Sequence, residues 1–347
     1  MKRIVYRWDL DKTYLRTEFD TVRDLLRTAF EPAKKKLTVP GAAALLREQR
    51  ATNPAGIYIL SGSPEQMRRV LEAKLRLDGV KWDSFTLKPS LHHLVRGRVR
   101  FLRDQIGYKL AALLTSRTQT ASSADEICFG DDAEADAFIY SLYADICGER
   151  VGRDTLFAVL ERARVYPEEI PRILRLAADV PRGDVCRRIF IHLDRVSSPD
   201  AFTELGRRVC PFYNYFQPAL ALLEEGALEP MSVLRVGAEL VIEHGFTADA
   251  LLASYTDLAR RKQIGFSAVH ELMLERPNLE QQLFGGATAV IRGFLARLDA
   301  VEAEMGQVVV REDPHVGDEP HVIDYIALFS RDRARAHAAK KRAKMRL

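Results

Sequence analysis

The sequence predicts an α/β fold, a parallel sheet with helices on both faces, followed by an all-helical C-terminal region. In the first half of the chain and a little beyond, short apolar segments alternate with longer segments whose apolar residues recur at helical spacing. Strands separated by helices in this way favour right-handed crossovers and a parallel sheet. From about Pro211 onward the chain shows helical patterns and no convincing strand.

Five apolar segments are predicted to be strands. The first runs from Val5 to the carboxylates Asp9 and Asp11, and the others cover 56–60, 85–87, 126–130 and 188–193. Helices are predicted at 21–30, 42–49, 65–77, 103–114 and 154–178. Further helices are predicted at 217–224, 232–243, 248–261, 266–274 and 280–304, before an exposed loop at 310–320 and a final helix. We expect a sheet domain over residues 1–225, a helical domain over 226–330 and a basic tail over 331–347.

The composition is that of a soluble globular protein, with 347 residues of which 47% are hydrophobic and 29% charged. The net charge of +4 is too small to indicate nucleic-acid binding by itself, although the tail carries eight Lys or Arg residues against one Asp. No apolar run reaches the length that spans a bilayer and the first strand leaves no room for a signal peptide, so we expect a cytoplasmic protein. The four widely spaced cysteines predict reduced, buried thiols rather than a disulfide or zinc framework.

Two carboxylates, Asp9 and Asp11, follow the first predicted strand. Because the side chains of a strand alternate between its faces with a period of two, both acids point to the same side. Ligands of parallel α/β sheets bind outside the carboxyl ends of the strands. One carboxylate there can act as nucleophile and metal ligand while the other donates a proton. From these residues alone, a strand followed by an acidic turn is the alternative interpretation.

Polar groups follow the later strands in a fixed order. After Asp9-Leu10-Asp11-Lys12-Thr13 come Ser61, Lys109 and the run Gly130-Asp131-Asp132-Ala133-Glu134-Ala135-Asp136. In this order, and on this pattern of strands and helices, they resemble the four motifs of the haloacid dehalogenase-like (HAD) phosphohydrolase superfamily over residues 1 to about 145. The Ser-Gly-Ser-Pro at 61–64, the Tyr-Lys-Leu at 108–110 and the spacing from 131 to 136 are most similar to the phosphatidate phosphatase catalytic domain related to the lipins.

The resemblance implies a Rossmann-like HAD domain and a Mg²⁺-dependent phosphohydrolase. Asp9 would be the nucleophile that forms an aspartyl-phosphate, and Asp11 would protonate the leaving oxygen and then activate water. Ser61 would hydrogen-bond the phosphoryl group, and Lys109 would neutralise its charge. The expected substrate is a phosphomonoester, either a phosphatidate-like lipid phosphate or a soluble compound.

The resemblance also implies a Mg²⁺ site made of hard oxygen ligands. Asp9 would bind the ion through its second carboxylate oxygen, and Asp11 through its backbone carbonyl. Asp131 would complete the site, with Asp136 or Asp132 as a further ligand or as support. The doubled Asp131-Asp132 leaves the direct ligand ambiguous by one residue.

One position departs from the superfamily pattern, because Lys12 stands where Gly or an acid is commoner. A second interpretation belongs to another class of protein, a catalytically weak HAD-like module that binds nucleic acid or an anionic membrane through its helical half and basic tail. The tail lacks the aromatic residues that base stacking uses, and no catalytic group is missing. We therefore favour the enzyme.

Overall fold

The computed structural model describes residues 3–16, 36–88, 98–120, 123–195, 197–265, 267–283, 285–305 and 322–329. The predicted helix at 21–30, the loop at 310–320 and the basic tail at 331–347 lie outside this set. All four cysteines are buried and form no disulfide, as predicted. Among the described residues, no helix is both long and apolar enough to cross a bilayer.

A parallel sheet of six strands forms the centre of the described chain, in the order β3-β2-β1-β4-β5-β6. This confirms the predicted α/β fold with a parallel sheet. In chain order the strands are β1 (Ile4–Asp9), β2 (Gly56–Pro64), β3 (Ser84–Lys88), β4 (Asp125–Asp131), β5 (Cys186–His192) and β6 (Val209–Phe212).

Strand β6 was not predicted, because it is short and contains Pro211. Proline has no amide hydrogen to donate to a sheet ladder, so it is confined to edge strands and strand ends. Within the described part of the chain, β6 lies at the edge of the sheet and pairs with β5 alone, and a missing donor is tolerated there. We expected no strand from about Pro211 onward. This expectation is wrong for Pro211 and Phe212, which are the last two residues of β6.

The later strands are added on opposite sides of β1. Strands β2 and β3 are added on one side of β1, and β4, β5 and β6 on the other. All six residues of β1 are buried, as expected of a central parallel strand covered on both faces. The crevice between β1 and β4 is therefore the topological switch point, the place where α/β sheets bind ligands.

Helices connect the strands and cover both faces of the sheet. The helices of the first part are α1 (Ala42–Ala51), α2 (Arg68–Leu77), α3 (Arg98–Thr118), α4 (Asp136–Cys147), α5 (Arg153–Arg162) and α6 (Ile170–Asp179). The single helix predicted at 154–178 is thus two helices. Arg164 adopts a left-handed φ of 58° directly after α5, and Pro167 follows, so the first helix cannot continue.

The C-terminal half of the described chain is helical, as predicted. Its helices are α7 (Phe216–Glu224), α8 (Pro230–His244), α9 (Ala248–Arg260), α10 (Ser267–Leu274), α11 (Leu279–Gln282) and α12 (Gly286–Met305). The helix predicted at 280–304 is interrupted before Gly286, where Gly285 has a φ of +64°. A last helical turn spans 325–329.

Two apolar clusters form the core, one on each face of the sheet. The first joins β1 and β2 to α1, α2 and the C-terminal helices α7, α8, α9 and α12. The second joins the other face of β4 and β5 to α3, α4, α5 and α6. The C-terminal helices thus share a core with the first face of the sheet. The domain boundary that we predict between residues 225 and 226 stays a prediction.

The segment 322–329 packs against α4, the helix that follows β4. Tyr325 is 1% exposed, donates a hydrogen bond of 2.5 Å from its hydroxyl to Asp145 Oδ2, and meets the ring of Phe138 edge-on. A chain ending at residue 321 should lose about 3–5 kcal/mol of unfolding free energy, the usual cost of removing a large buried aromatic side chain. A chain ending at residue 330 keeps these contacts and should match the full chain. Urea denaturation of all three proteins measures this, and equal midpoints would contradict it.

Candidate active site

Asp9 ends β1 and is completely buried at the switch point of the sheet. Lys109 Nζ lies 2.7 Å from its Oδ1, and the Thr13 hydroxyl donates to its Oδ2 over 3.2 Å. Burial raises the pKa of Asp9 well above its usual range, against the attraction of the Lys109 ammonium. The carboxylate is thus oriented by two donors, and one of them carries a positive charge.

Lys109 projects from α3 and carries the one ammonium group among the described residues of the site. Its Nζ donates hydrogen bonds to Asp9 Oδ1 and Asp136 Oδ1, at 2.7 and 2.5 Å, and lies 2.7 Å from Glu134 Oε2. Burial alone would lower the pKa of Lys109, but the three carboxylates raise it well above its usual value. Lys109 is therefore a permanent positive charge in a buried site.

Asp11 lies two residues beyond Asp9 and contacts the end of β2. Its Oδ2 accepts hydrogen bonds from the hydroxyls of Ser61 and Ser63, at 2.9 and 2.8 Å. The register explains this, since Asp9 pairs with Leu60, which places Ser61 at the next level of the sheet. Burial raises the pKa of Asp11, and the nearby Glu134 carboxylate adds to the rise. A carboxyl group that keeps its proton more readily suits a general acid.

The acidic run after β4 forms a tight turn into α4. Asp131 Oδ1 accepts hydrogen bonds from the backbone amides of Ala133 and Glu134, at 2.6 and 2.9 Å, which fixes the turn. A Cβ at position 130 would lie 2.5 Å from the Cβ of Asp136, so only glycine fits there. Burial raises the pKa of Asp136 to about 6, even with Lys109 beside it.

Asp132 lies on the other side of this turn. Its two carboxylate oxygens accept hydrogen bonds from the backbone amides of Arg195 and Ser197, at 2.8 and 3.1 Å, in the loop after β5. Asp132 is the first residue of the turn after β4, and these two bonds commit its carboxylate to the loop after β5. The structure places Asp131 with Asp9 and places Asp132 against the loop.

Two aromatic residues outside the motifs hold the loop after β1. His192 Nδ1 lies 2.9 Å from the carbonyl oxygen of Lys12, and the Tyr215 hydroxyl donates to the carbonyl of Thr13 over 2.5 Å. Lys12 has a left-handed φ of 62°, which is costly for a residue with a side chain. These bonds to two successive carbonyls fix a strained loop that carries Asp11 and orients Thr13.

Four carboxylates of the described residues meet closely enough to hold a metal ion. One oxygen each from Asp9, Asp131, Glu134 and Asp136 lies within 4.8 Å of the others. Asp131 Oδ2 is buried and has no hydrogen-bond partner among the described residues, as expected of an atom that binds a cation. With four carboxylates and one ammonium, the cluster also has an excess of negative charge. The donor set is all oxygen and fits a hard divalent ion.

The structure brings the predicted residues Asp9, Lys109, Asp131 and Asp136 together, and places Asp11 and Ser61 next to them. Their roles stay predictions. Three contacting residues were not singled out from the sequence, although two of them stand inside the quoted motifs. They are Ser63, Glu134 and Gln105.

Comparison with known proteins bears on the same part of the chain. Residues 8–153 match the family model described as the catalytic domain of phosphatidate phosphatase APP1. This confirms the resemblance stated from the sequence, and the matched segment contains every residue of the acidic cluster. No curated protein and no solved structure matches the chain.

Proposed function

We propose that this chain is a Mg²⁺-dependent HAD-type phosphohydrolase that acts through an aspartyl-phosphate on Asp9. The observation that carries the proposal is the buried Asp9 carboxylate at the switch point, held by Lys109 and Thr13 with Asp11 two residues on. The match of residues 8–153 to a phosphatidate phosphatase catalytic domain supports a phosphatase that takes a phosphorylated substrate.

In the first step, an oxygen of Asp9 attacks phosphorus in line with the leaving group. The bond from phosphorus to the leaving oxygen breaks, and that oxygen takes the proton of Asp11. In the second step, the Asp11 carboxylate takes a proton from water, and the resulting hydroxide attacks the aspartyl-phosphate. The phosphorus–oxygen bond to Asp9 then breaks, which releases inorganic phosphate and restores both carboxyl groups.

Lys109 supplies the fixed positive charge that phosphoryl transfer needs, since charge accumulates on the oxygens being transferred. Mg²⁺ would be held by the carboxylates of Asp9, Asp131 and Asp136, and would supply further positive charge at the phosphoryl oxygens. The hydroxyls of Ser61 and Ser63 would hold Asp11 in place, and we propose that Ser61 also contacts the phosphoryl group. The substrate class we propose is a phosphatidate-like or other phosphomonoester.

The test is turnover by the purified full chain with p-nitrophenyl phosphate, soluble phosphomonoesters and phosphatidate in mixed micelles. Each assay is run with Mg²⁺ and with EDTA. Release of inorganic phosphate that depends on Mg²⁺ is the expected result, and the preferred substrate identifies the class. Absence of turnover on the whole panel, or turnover that EDTA leaves intact, would contradict the proposal.

The metal site gives a prediction that separates the two adjacent acids. Asp131→Asn should raise the Mg²⁺ concentration for half-maximal activity at least about tenfold, the range typical of changes to metal-site residues. An amide at 131 can still accept the hydrogen bonds that fix the turn, so the loss should be confined to metal binding. Asp132→Asn should change this concentration less, because Asp132 faces the loop after β5. Mg²⁺ titration of both variants measures the order, and the reverse order would move the ligand by one residue.

A further inference from the structure

Three carboxylates contact Lys109, and Glu134 is the one with the fewest constraints on its position. The ammonium donates hydrogen bonds to Asp9 and Asp136, whereas Glu134 Oε2 lies 2.7 Å away without accepting a hydrogen bond from any described residue. Asp9 ends a central strand and Asp136 begins α4, so both are fixed by secondary structure. Glu134 stands on the turn between β4 and α4 and has the longer side chain.

Among the described side chains, one hydrogen bond holds the other oxygen of the Glu134 carboxylate. Gln105 Nε2 donates to Glu134 Oε1 over 3.3 Å, the long end of the hydrogen-bond range. Gln105 itself is 2% exposed and lies over Gly62, where any Cβ would collide with its amide group. The Glu134 side chain is 7% exposed, so it is the member of the Lys109 cluster that reaches toward solvent.

The position of the Glu134 carboxylate conflicts with the position that a substrate must take. A phosphoryl group attacked by Asp9 lies about 3 Å from the attacking oxygen at the start of the reaction. It must also contact Lys109, the one ammonium among the described residues of the cluster. Glu134 already takes a contact position on Lys109, and one of its oxygens lies within 4.8 Å of an Asp9 oxygen.

We propose that Glu134 is a built-in competitor of the substrate, a carboxylate that occupies the phosphoryl-oxygen position on Lys109 and leaves it when a phosphate group binds. The inference rests on the proposed phosphohydrolase function and adds a residue that sets affinity for anionic ligands. A carboxylate oxygen and a phosphate oxygen both pair with an ammonium through the same kind of close contact, so the two exclude each other at that position. The site therefore favours ligands in which the transferred group carries enough negative charge to displace the Glu134 carboxylate from Lys109.

Inorganic phosphate, a product of the proposed reaction, is the probe of this competition. Its dissociation constant is measured by calorimetry at saturating Mg²⁺ for the wild-type chain, Glu134→Gln and Glu134→Asp. Glu134→Gln removes the competing charge, and Glu134→Asp shortens the side chain so that it no longer reaches Lys109. Both should bind phosphate about tenfold more tightly, the effect of removing one charge-assisted contact from the free protein. Circular dichroism establishes that each variant is folded.

The matched control is Glu243→Gln, which makes the same charge change at an exposed position of α8. It should bind phosphate as the wild type does. In turnover assays, Glu134→Gln should lower KM about tenfold, because the substrate no longer has to displace a carboxylate before it binds. Glu243→Gln should change neither constant.

Two outcomes would overturn the proposal. Unchanged or weaker phosphate binding by both Glu134 variants would show that the carboxylate does not compete. A tenfold rise in the Mg²⁺ dissociation constant of Glu134→Gln, measured without phosphate, would make Glu134 a metal ligand instead. Failure of the proposed function is distinguishable from both, because a wild-type chain without turnover can still be compared with Glu134→Gln in phosphate binding.

Discussion

Replacing Asp9 by Asn should abolish turnover while leaving the protein folded. An amide nitrogen cannot attack phosphorus to give the acyl-phosphate, and the amide oxygen is a far weaker nucleophile than a carboxylate. The substitution is isosteric, and the surroundings can accept it. The new oxygen can accept from Lys109, and the new NH₂ can donate to Thr13 Oγ1 after the hydroxyl rotates.

Asp9→Asn also removes one negative charge from a buried cluster of four carboxylates. Burial and the neighbouring carboxylates raise the pKa of Asp9, so without metal the ionised carboxylate carries an electrostatic cost that an amide does not. Without metal, the variant should therefore unfold at the same temperature as the wild type or a higher one. Turnover and thermal melting of Asp9→Asn are compared with those of Asp179→Asn, an exposed substitution at the end of α6. Activity near the wild-type level in Asp9→Asn would rule out the covalent mechanism.

The main features of the site could be predicted because each is a local pattern. An apolar run that ends in Asp9 and Asp11 indicates a buried strand and two acids on one side of it. Lys109 is different, since a lysine on an amphipathic helix is usually a solvated charge. Its position in the order of motifs, rather than its own surroundings in the sequence, indicated that it belongs to the site.

What the sequence left open depends on contacts between distant segments. Asp131 and Asp132 are adjacent and chemically alike, and only the loop after β5 determines which of them turns away from Asp9. Ser63 reaches Asp11 because β2 extends beyond Leu60 to Pro64, past the end of the apolar run. In the sequence Glu134 is one of several acids in a turn. Its contact with Lys109 depends on the position of α3, which the local sequence does not indicate.

Replacing Asp11 by Asn should slow turnover by ~10²–10⁴-fold, the usual contribution of a general acid–base group. The structure makes this substitution a clean probe. Both hydroxyls that contact Asp11, those of Ser61 and Ser63, donate to the same carboxylate oxygen. An amide oxygen can accept the same two bonds, so the side chain should stay in place and lose only its capacity to transfer a proton.

The dependence on the leaving group distinguishes proton transfer from a structural role. p-Nitrophenolate leaves without protonation, so Asp11→Asn should slow aspartyl-phosphate formation far less with p-nitrophenyl phosphate than with an alkyl phosphate. Hydrolysis of the aspartyl-phosphate should be slowed equally for both substrates, because the intermediate is the same. Single-turnover measurements of both steps test this.

Ser63→Ala is the control for Asp11→Asn, since it keeps the carboxyl group and removes one of its two donors. Loss of a hydrogen bond to the ionised form should raise the pKa of Asp11 further, because that bond lowers it in the wild type. The pH profile of Ser63→Ala should therefore move to higher pH, with a smaller loss of rate than in Asp11→Asn. If Asp11→Asn slows both substrates equally in the first step, or if its rates match those of Ser63→Ala, then Asp11 only supports the loop after β1.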